Sequence, residues 1–160
     1  MLIKDIKDED FVNYKLPSMM IATCKCNWKC CVEQGLDKSI CQNSSIAQQK
    51  DIEVSADEIF SRYTSNPITK AIVIGGLEPF LQFEEVYELI KYFRDNGCKD
   101  DFVIYTGYYI CEIQDKVNRL KEFENIILKT GRYIDKLNSR YDEMLGITLA
   151  SSNQYGIKIS

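Results

Sequence analysis

Short apolar runs alternate with longer amphipathic stretches along the chain. Each apolar run is only four to six residues long, which predicts a buried strand. The five predicted strands cover residues 18–23, 71–74, 102–105, 125–128 and 147–150. Strands that alternate with amphipathic segments indicate an α/β protein built on a mostly parallel sheet.

The amphipathic stretches predict three helices. A Ser-Ala-Asp-Glu capping box at residues 55–58 begins the first helix, which is expected to end near Asn66. The second has the clearest periodicity, because apolar residues recur at helical spacing before Gly97 ends it: Val86, Leu89, Ile90 and Phe93. A third, charged helix is expected at about residues 112–123.

The length of the chain limits its architecture. With 160 residues it is long enough for one domain with a sizeable core, so residues 1–160 are predicted to form a single domain. A complete eight-fold (β/α) barrel takes about 250 residues. The predicted fold class is therefore α/β, with a partial (β/α) barrel and a mostly parallel sheet.

Small and polar residues follow each predicted strand. They are Cys24 and Cys26 after the first, Gly75 and Gly76 after the second, Thr106 after the third, Gly131 after the fourth, and Ser151 to Gln154 after the fifth. The carboxyl ends of parallel strands meet at one edge of a sheet. A functional site is therefore predicted at this edge.

Charge and composition exclude several classes of function. The net charge is -4 and both signs are interspersed, so there is no basic stripe and nucleic acid is not an expected partner. The N-terminal segment is charged every two or three residues, and no apolar run could span a bilayer, so a cytoplasmic protein without membrane contact is expected. The absence of histidine excludes imidazole zinc sites and Ser-His or Cys-His pairs.

Cysteines are concentrated in one polar segment. Five of the seven lie within eighteen residues: Cys24, Cys26, Cys30, Cys31 and Cys41. In a reducing cytoplasm this density indicates metal or redox chemistry rather than disulfides. A zinc site stays open, although no pair has the two-residue spacing of a zinc knuckle, whereas the spacing of Cys26 and Cys30 suits thiolates that wrap an iron–sulfur cluster. Cys98 and Cys111 are interpreted as structural.

The cysteine segment resembles a known signature. Cys26-Asn-Trp-Lys-Cys30, followed by Ser-Ile-Cys-Gln-Asn at residues 39–43, is similar to the signature of the radical S-adenosylmethionine superfamily. The resemblance implies that Cys26, Cys30 and Cys41 hold a [4Fe-4S] cluster, in a cluster-binding loop at about residues 24–43.

The third ligand is the point at which the chain departs from this signature. Ten residues separate Cys30 from Cys41, where the usual pattern has two. Either the loop carries an insertion, or Cys24 or Cys31 replaces Cys41. An insertion is physically reasonable, because lengthening the loop adds only on the order of 1 kcal/mol to the entropic cost of closing it.

Four further segments carry the resemblance. Residues 75–79, Gly-Gly-Leu-Glu-Pro, are similar to the superfamily's Gly-Gly-Glu-Pro motif with one extra leucine. Residues 104–108, together with 131–135 and 151–154, resemble the branch of anaerobic ribonucleoside-triphosphate reductase activating proteins. The residues implied to bind S-adenosylmethionine are Asn43, Gly75, Gly76, Glu78, Thr106, Ser152 and Asn153.

The resemblance implies a radical S-adenosylmethionine type of fold and an enzyme. Its cluster would cleave S-adenosylmethionine reductively to a 5′-deoxyadenosyl radical, and no protein side chain is expected to act as the catalyst. The implied partners are the large glycyl-radical subunit of an anaerobic ribonucleotide reductase and an electron donor such as flavodoxin or ferredoxin.

Two other functions stay open. One is a radical enzyme that acts on a small molecule, of the 7-carboxy-7-deazaguanine synthase type. The other is a noncatalytic thiolate-rich module that holds zinc or a cluster.

Overall fold

A computed structural model describes the whole chain, residues 1–160, and a mixed seven-stranded sheet lies at its centre. The strands are β1 (Leu2–Asp10), β2 (Ser18–Thr23), β3 (Ile52–Glu53), β4 (Ala71–Gly76), β5 (Asp101–Tyr105), β6 (Ile126–Thr130), β7 (Arg140–Asp142), β8 (Ile147–Leu149) and β9 (Tyr155–Lys158). The helices are α1 (Lys29–Val32), α2 (Ser44–Ala47), α3 (Ala56–Ser65), α4 (Phe83–Asp95) and α5 (Gln114–Leu120). None of these helices combines the length and the apolar character that a membrane crossing requires.

The centre of the sheet confirms four of the predicted strands. β2, β4, β5 and β6 are consecutive parallel neighbours, so their carboxyl ends lie at one edge of the sheet. Residues 71–74 of β4 are completely buried, because both faces of the sheet are covered there.

The outer strands differ from the prediction. β1 and β3 extend one side of the sheet in antiparallel fashion and β9 extends the other, so the sheet is open and has two edges. The predicted strand at residues 147–150 exists as β8, but its expected place in the parallel sheet is wrong. β8 pairs antiparallel with β7 in a separate two-stranded sheet. The chain after β6 forms no crossover helix, and a further parallel strand would need one.

The helices follow their sequence signals closely. α3 begins with the predicted cap, in which Glu58 N donates to Ser55 Oγ at 3.1 Å. α4 ends just before Gly97, as predicted. The third helix is shorter than the predicted residues 112–123, since α5 covers only Gln114–Leu120 and follows a 3₁₀ turn at Ile110–Glu112.

The two faces of the sheet are covered by different parts of the chain. The larger apolar core lies on the face that carries α3, α4 and α5, where Phe93 packs edge-on against Phe102. On the other face, Tyr14, Leu145 and Leu149 cover apolar residues that all lie within the first three positions of their strands. The loop between β1 and β2 and the β7–β8 hairpin therefore close the amino-end half of that face.

Replacing Gly76 with alanine is expected to destabilise the protein by about 2 kcal/mol more than the same change at Gly97. Both glycines have positive φ angles, 76° and 82°, so each alanine costs about 1 kcal/mol in backbone strain. Only at Gly76 would the new Cβ also lie 2.7 Å from Ala22 Cβ, whereas at Gly97 it meets open space. Urea unfolding of the two variants measures the difference, and equal losses would show that β2 and β4 can separate without cost.

Candidate metal centre

The segment between β2 and β3 contains all five clustered cysteines and the short helices α1 and α2. α1 begins directly after Trp28, whose backbone is left-handed with φ 58°. Trp28 N donates a hydrogen bond to Cys26 Sγ at 3.2 Å. This turn places Cys30, in the first turn of α1, on the same side as Cys26.

Four thiols line a single cavity beside the carboxyl ends of the parallel strands: Cys26, Cys30, Cys31 and Cys41. Glu78 and Gly107, which follow β4 and β5, line the same cavity. The structure therefore brings together the three cysteines predicted as cluster ligands and adds Cys31 to them. No three Cys, Asp or Glu side chains converge closely enough to hold a single metal ion.

The other three cysteines lie away from this cavity wall. Cys24 N donates to the side chain of Gln82 at 2.6 Å, and its thiol is partly buried. Cys98 is partly buried after the glycine that ends α4, and Cys111 is exposed in the 3₁₀ turn before α5. All seven cysteines are free thiols.

Burial disfavours the charged form of the cavity thiols. It raises the pKa of Cys26 to about 11 and also raises the pKa of Cys30 and of Cys31. A thiol must lose its proton to become a metal ligand, so these side chains need the positive charge of bound metal to ionise.

Gln82 holds the beginning of the cluster-binding loop. Its Oε1 accepts hydrogen bonds from Cys24 N at 2.6 Å and from Lys25 N at 3.2 Å, and its Nε2 donates to Leu2 O at 2.9 Å. The side chain is only 3% exposed. The sequence signal for this role was a glutamine within the mostly apolar turn Pro79–Gln82. The hydrogen-bond partners of Gln82 lie too far away in sequence to be predicted.

Glu78 joins the ends of β4 and β5. Its carboxylate accepts hydrogen bonds from Phe80 N at 3.1 Å, Thr106 Oγ1 at 2.8 Å and Gly107 N at 2.9 Å. Its own N–H donates to Lys25 O at 2.7 Å in the cluster-binding loop. Burial raises the pKa of Glu78, and these hydrogen bonds oppose that effect by favouring the carboxylate.

Lys129 is a site residue that the sequence analysis missed. It pairs with Tyr105 across β5 and β6, and its ammonium lies 5.8 Å from the centre of the Tyr105 ring. The ammonium makes no hydrogen bond or ion pair within the protein, and burial lowers its pKa to about 8. Charges at Cys30 and Glu78, two residues that line the cavity, oppose this lowering of the pKa of Lys129. The sequence signal for this site residue was a lysine near the end of the mostly apolar strand β6.

The residues predicted to bind the cofactor occupy three places. Gly75, Gly76, Glu78 and Thr106 lie at the ends of β4 and β5, next to the cavity. Asn43 is partly exposed at the start of α2 and makes no side-chain cap. Ser152 and Asn153 are partly buried before β9, where Asn153 Nδ2 donates to Arg132 O at 2.8 Å and Asn153 Oδ1 is buried without a partner.

Comparison with protein families identifies the class of this site. Residues 17–155 match the family described as "4Fe-4S single cluster domain". The chain belongs to this family. It is therefore an iron–sulfur protein, and the four cysteines around one cavity fit such a cluster because they supply sulfur ligands without imidazole. Searches of curated proteins and of solved structures found no match.

In this iron–sulfur protein an ion-pair network lies beside α1. Arg132, whose side chain is 6% exposed, donates to both carboxylate oxygens of Glu112, at 2.7 and 2.5 Å. Arg132 Nε also lies 2.7 Å from Glu33 Oε2, and Lys29 Nζ lies 2.6 Å from Glu112 Oε1. The guanidinium lies 4.8 Å from the centre of the Tyr109 ring. Two acids and two bases thus neutralise one another around α1.

Replacing Glu112 with glutamine is expected to make the stability of the protein fall less steeply as the pH is lowered below about 4.5. The hydrogen bonds from Arg132 are the largest cause that lowers the pKa of Glu112 from 4.5 to about 2. A carboxylate with a lowered pKa stabilises the fold at neutral pH, and this stabilisation is lost as the pH falls from about 4.5 toward 2.

Urea unfolding of the cluster-free protein measures this effect. The E112Q variant should be less stable than the native protein by roughly 1 kcal/mol at pH 6, and the difference should shrink at pH 4. The control is E143Q, which changes an exposed carboxylate that makes no ion pair. A difference between native and E112Q protein that stays constant with pH would contradict the prediction.

Proposed function

We propose that this iron–sulfur protein is a radical S-adenosylmethionine enzyme. The supporting observation is that the three thiols of the signature line one cavity together with Glu78 of the glycine-rich motif, beside the ends of parallel strands. The family assignment supplies the cluster, and the cavity supplies space for a ligand at its side. A partial (β/α) barrel of the radical S-adenosylmethionine type is the fold that this proposal implies.

Cys26, Cys30 and Cys41 would hold the cluster and leave one iron without a protein ligand. When bound, the cluster supplies an electron that cleaves a carbon–sulfur bond of S-adenosylmethionine, giving methionine and a 5′-deoxyadenosyl radical. Cys41 is preferred to Cys31 as the third ligand, because Cys31 adjoins Cys30 and the two would have to reach different irons from neighbouring positions.

The protein's own residues would bind and orient the methionine part of the cofactor. Gly75, at the end of β4, has no side chain to fill the space between Met20 and Tyr105, whose atoms lie 3.1 and 3.3 Å from the position of a Cβ. Lys129, on the same face of the sheet, offers an unpaired ammonium to a carboxylate. Glu78 already accepts three hydrogen bonds from the strand ends, of the about four that a carboxylate can accept, so it would orient the loop ends more than it binds ligand.

We further propose that the substrate is a backbone glycine of the large subunit of an anaerobic ribonucleotide reductase. The supporting observation is that the two late segments that resemble the activating branch, residues 131–135 and 151–154, contact each other in the fold. Gln154 Nε2 donates to Gly131 O at 3.1 Å, for example. A cytoplasmic location and a flavodoxin or ferredoxin as electron donor belong to the same proposal.

Replacing Cys26, Cys30 or Cys41 with alanine, one at a time, is expected to abolish cluster binding. Each change removes one of three thiolates, and two thiolates do not hold a four-iron cluster in water-accessible surroundings. C24A, C31A and C98A serve as controls and should retain about four irons per chain, since a [4Fe-4S] cluster contains four. Iron content after anaerobic reconstitution measures the result. Loss of iron in C31A but not in C41A would move the third ligand to Cys31.

The reduced native protein is expected to form 5′-deoxyadenosine from S-adenosylmethionine and to generate a glycyl radical on the reductase subunit. Chromatography detects the nucleoside and electron paramagnetic resonance detects the radical, with C41A as the inactive control. Nucleoside without a glycyl signal would indicate a small-molecule substrate. A colourless protein with one zinc per chain would indicate the noncatalytic module.

A further inference from the structure

A distant part of the chain holds the helix that carries a cluster ligand. Residues 131–135, which we call the clamp segment, directly follow β6. Gln34 Nε2 donates both to Cys30 O at 2.6 Å and to Tyr133 O at 2.8 Å, and Gln34 Oε1 accepts from Asp135 N at 2.9 Å. The neutral side chain of Gln34 therefore connects the peptide of Cys30 to Tyr133 of the clamp segment, which lies 99 residues after Gln34.

Arg132 makes the second connection between the clamp segment and α1. It contacts Glu33 directly and reaches Lys29 through Glu112, which accepts from both bases. Lys29 and Glu33 stand on either side of Cys30 in sequence. The contacts of Gln34 and of Arg132 thus connect the same clamp segment to α1 through two different side chains.

The clamp segment is itself held by the C-terminal motif of residues 151–154. Its contacts are Asn153 Nδ2 to Arg132 O at 2.8 Å, Gln154 Nε2 to Gly131 O at 3.1 Å, and Ile134 N to Ser151 Oγ at 3.2 Å. Ser151 and Gln154 are almost completely buried. A continuous series of hydrogen bonds therefore leads from this motif through the clamp segment to Cys30.

α1 needs such restraint because it cannot fix its own position. It has four residues, far fewer than a helix needs to be stable alone. It also follows Trp28, whose left-handed backbone conformation is unfavourable for a residue other than glycine. Gly107 leaves the space that the sulfur of Cys30 occupies, because a Cβ on this residue would lie 2.9 Å from Cys30 Sγ.

We propose that Gln34 and Arg132 are positioning residues that set the retention and the reduction potential of the cluster through Cys30. The proposal rests on Cys30 being a ligand, as proposed above, but not on S-adenosylmethionine or on a protein substrate. Reduction adds negative charge to the cluster, and water stabilises that charge. A loosened α1 would admit water, so it should raise the reduction potential and speed the loss of iron.

Two variants that keep the charge of the protein test this proposal: Gln34→Leu and Arg132→Lys. In each, iron loss to a chelator is expected to be about tenfold faster, and the reduction potential of the anaerobically reconstituted protein is expected to be more positive. Because both act through one segment, the double variant should show less than the sum of the single shifts. Electron paramagnetic resonance and a redox titration without S-adenosylmethionine give the readouts.

Arg119→Lys is the matched control. Arg119 also donates to both oxygens of a glutamate, Glu84, at 2.6 and 2.8 Å, and also stacks on aromatic rings, but it contacts no part of the cluster-binding loop. This variant should leave the potential and the rate of iron loss unchanged.

Each result bears on the clamp separately from the enzyme activity. Native potential and native iron retention in both Q34L and R132K would overturn the proposal, whatever their activity. If both variants fail to fold, Asn153→Ala removes one donor to the clamp segment and should produce a smaller shift of the same sign; an unchanged potential in N153A would then count against the clamp. A cluster retained in C30A would overturn the ligand assignment and the clamp together.

Discussion

The cavity that the four cysteines line depends on one buried carboxylate, that of Glu78. It is 7% exposed, and an isolated carboxylate at such a site would be strongly unfavourable. The strand ends offset this cost by directing three donors at it, from Phe80, Thr106 and Gly107. Burial raises the pKa of Glu78 and lowers that of Lys129, while each of the two charges favours the ionised form of the other. The charge of Glu78, which lines the cavity, is therefore coupled to that of Lys129 on β6.

The unequal covering of the sheet explains where a ligand has room. The helices bury one face along its whole length, whereas Tyr14, Leu145 and Leu149 cover the other face only near the amino ends of the strands. Toward the carboxyl ends that face presents small or polar-ended residues, such as Gly75 and Lys129. The protein therefore combines a conventional apolar core with a site at the edge where its parallel strands end.

Patterns among neighbouring residues were sufficient to predict the helices α3 and α4. The capping box at Ser55 and the apolar stripe of α4 are properties of neighbouring residues, and both helices are present. β1 was missed because its first seven residues mix apolar side chains with charges on a half-exposed strand. β8 was assigned to the wrong sheet because an apolar run does not reveal its partner. Gln34 and Lys129 acquire their roles from contacts between distant segments, which no spacing rule detects.

The cysteines of α1 show the same limit of prediction from sequence patterns. Cys30 and Cys31 are neighbours, and adjacency alone argues that they point apart. Successive side chains on a helix differ by about 100° in direction, however, so two neighbours can line the same cavity wall. Cys31 therefore lines the cavity together with Cys30. Cys41 approaches from the far end of the long loop, after the 3₁₀ turn Lys38–Ile40, whose cap is fixed by Ser39 N donating to Asp37 at 2.8 Å. The loop thus brings the thiol of Cys41 to the cavity from a separate backbone direction, whereas Cys30 and Cys31 both reach it from α1.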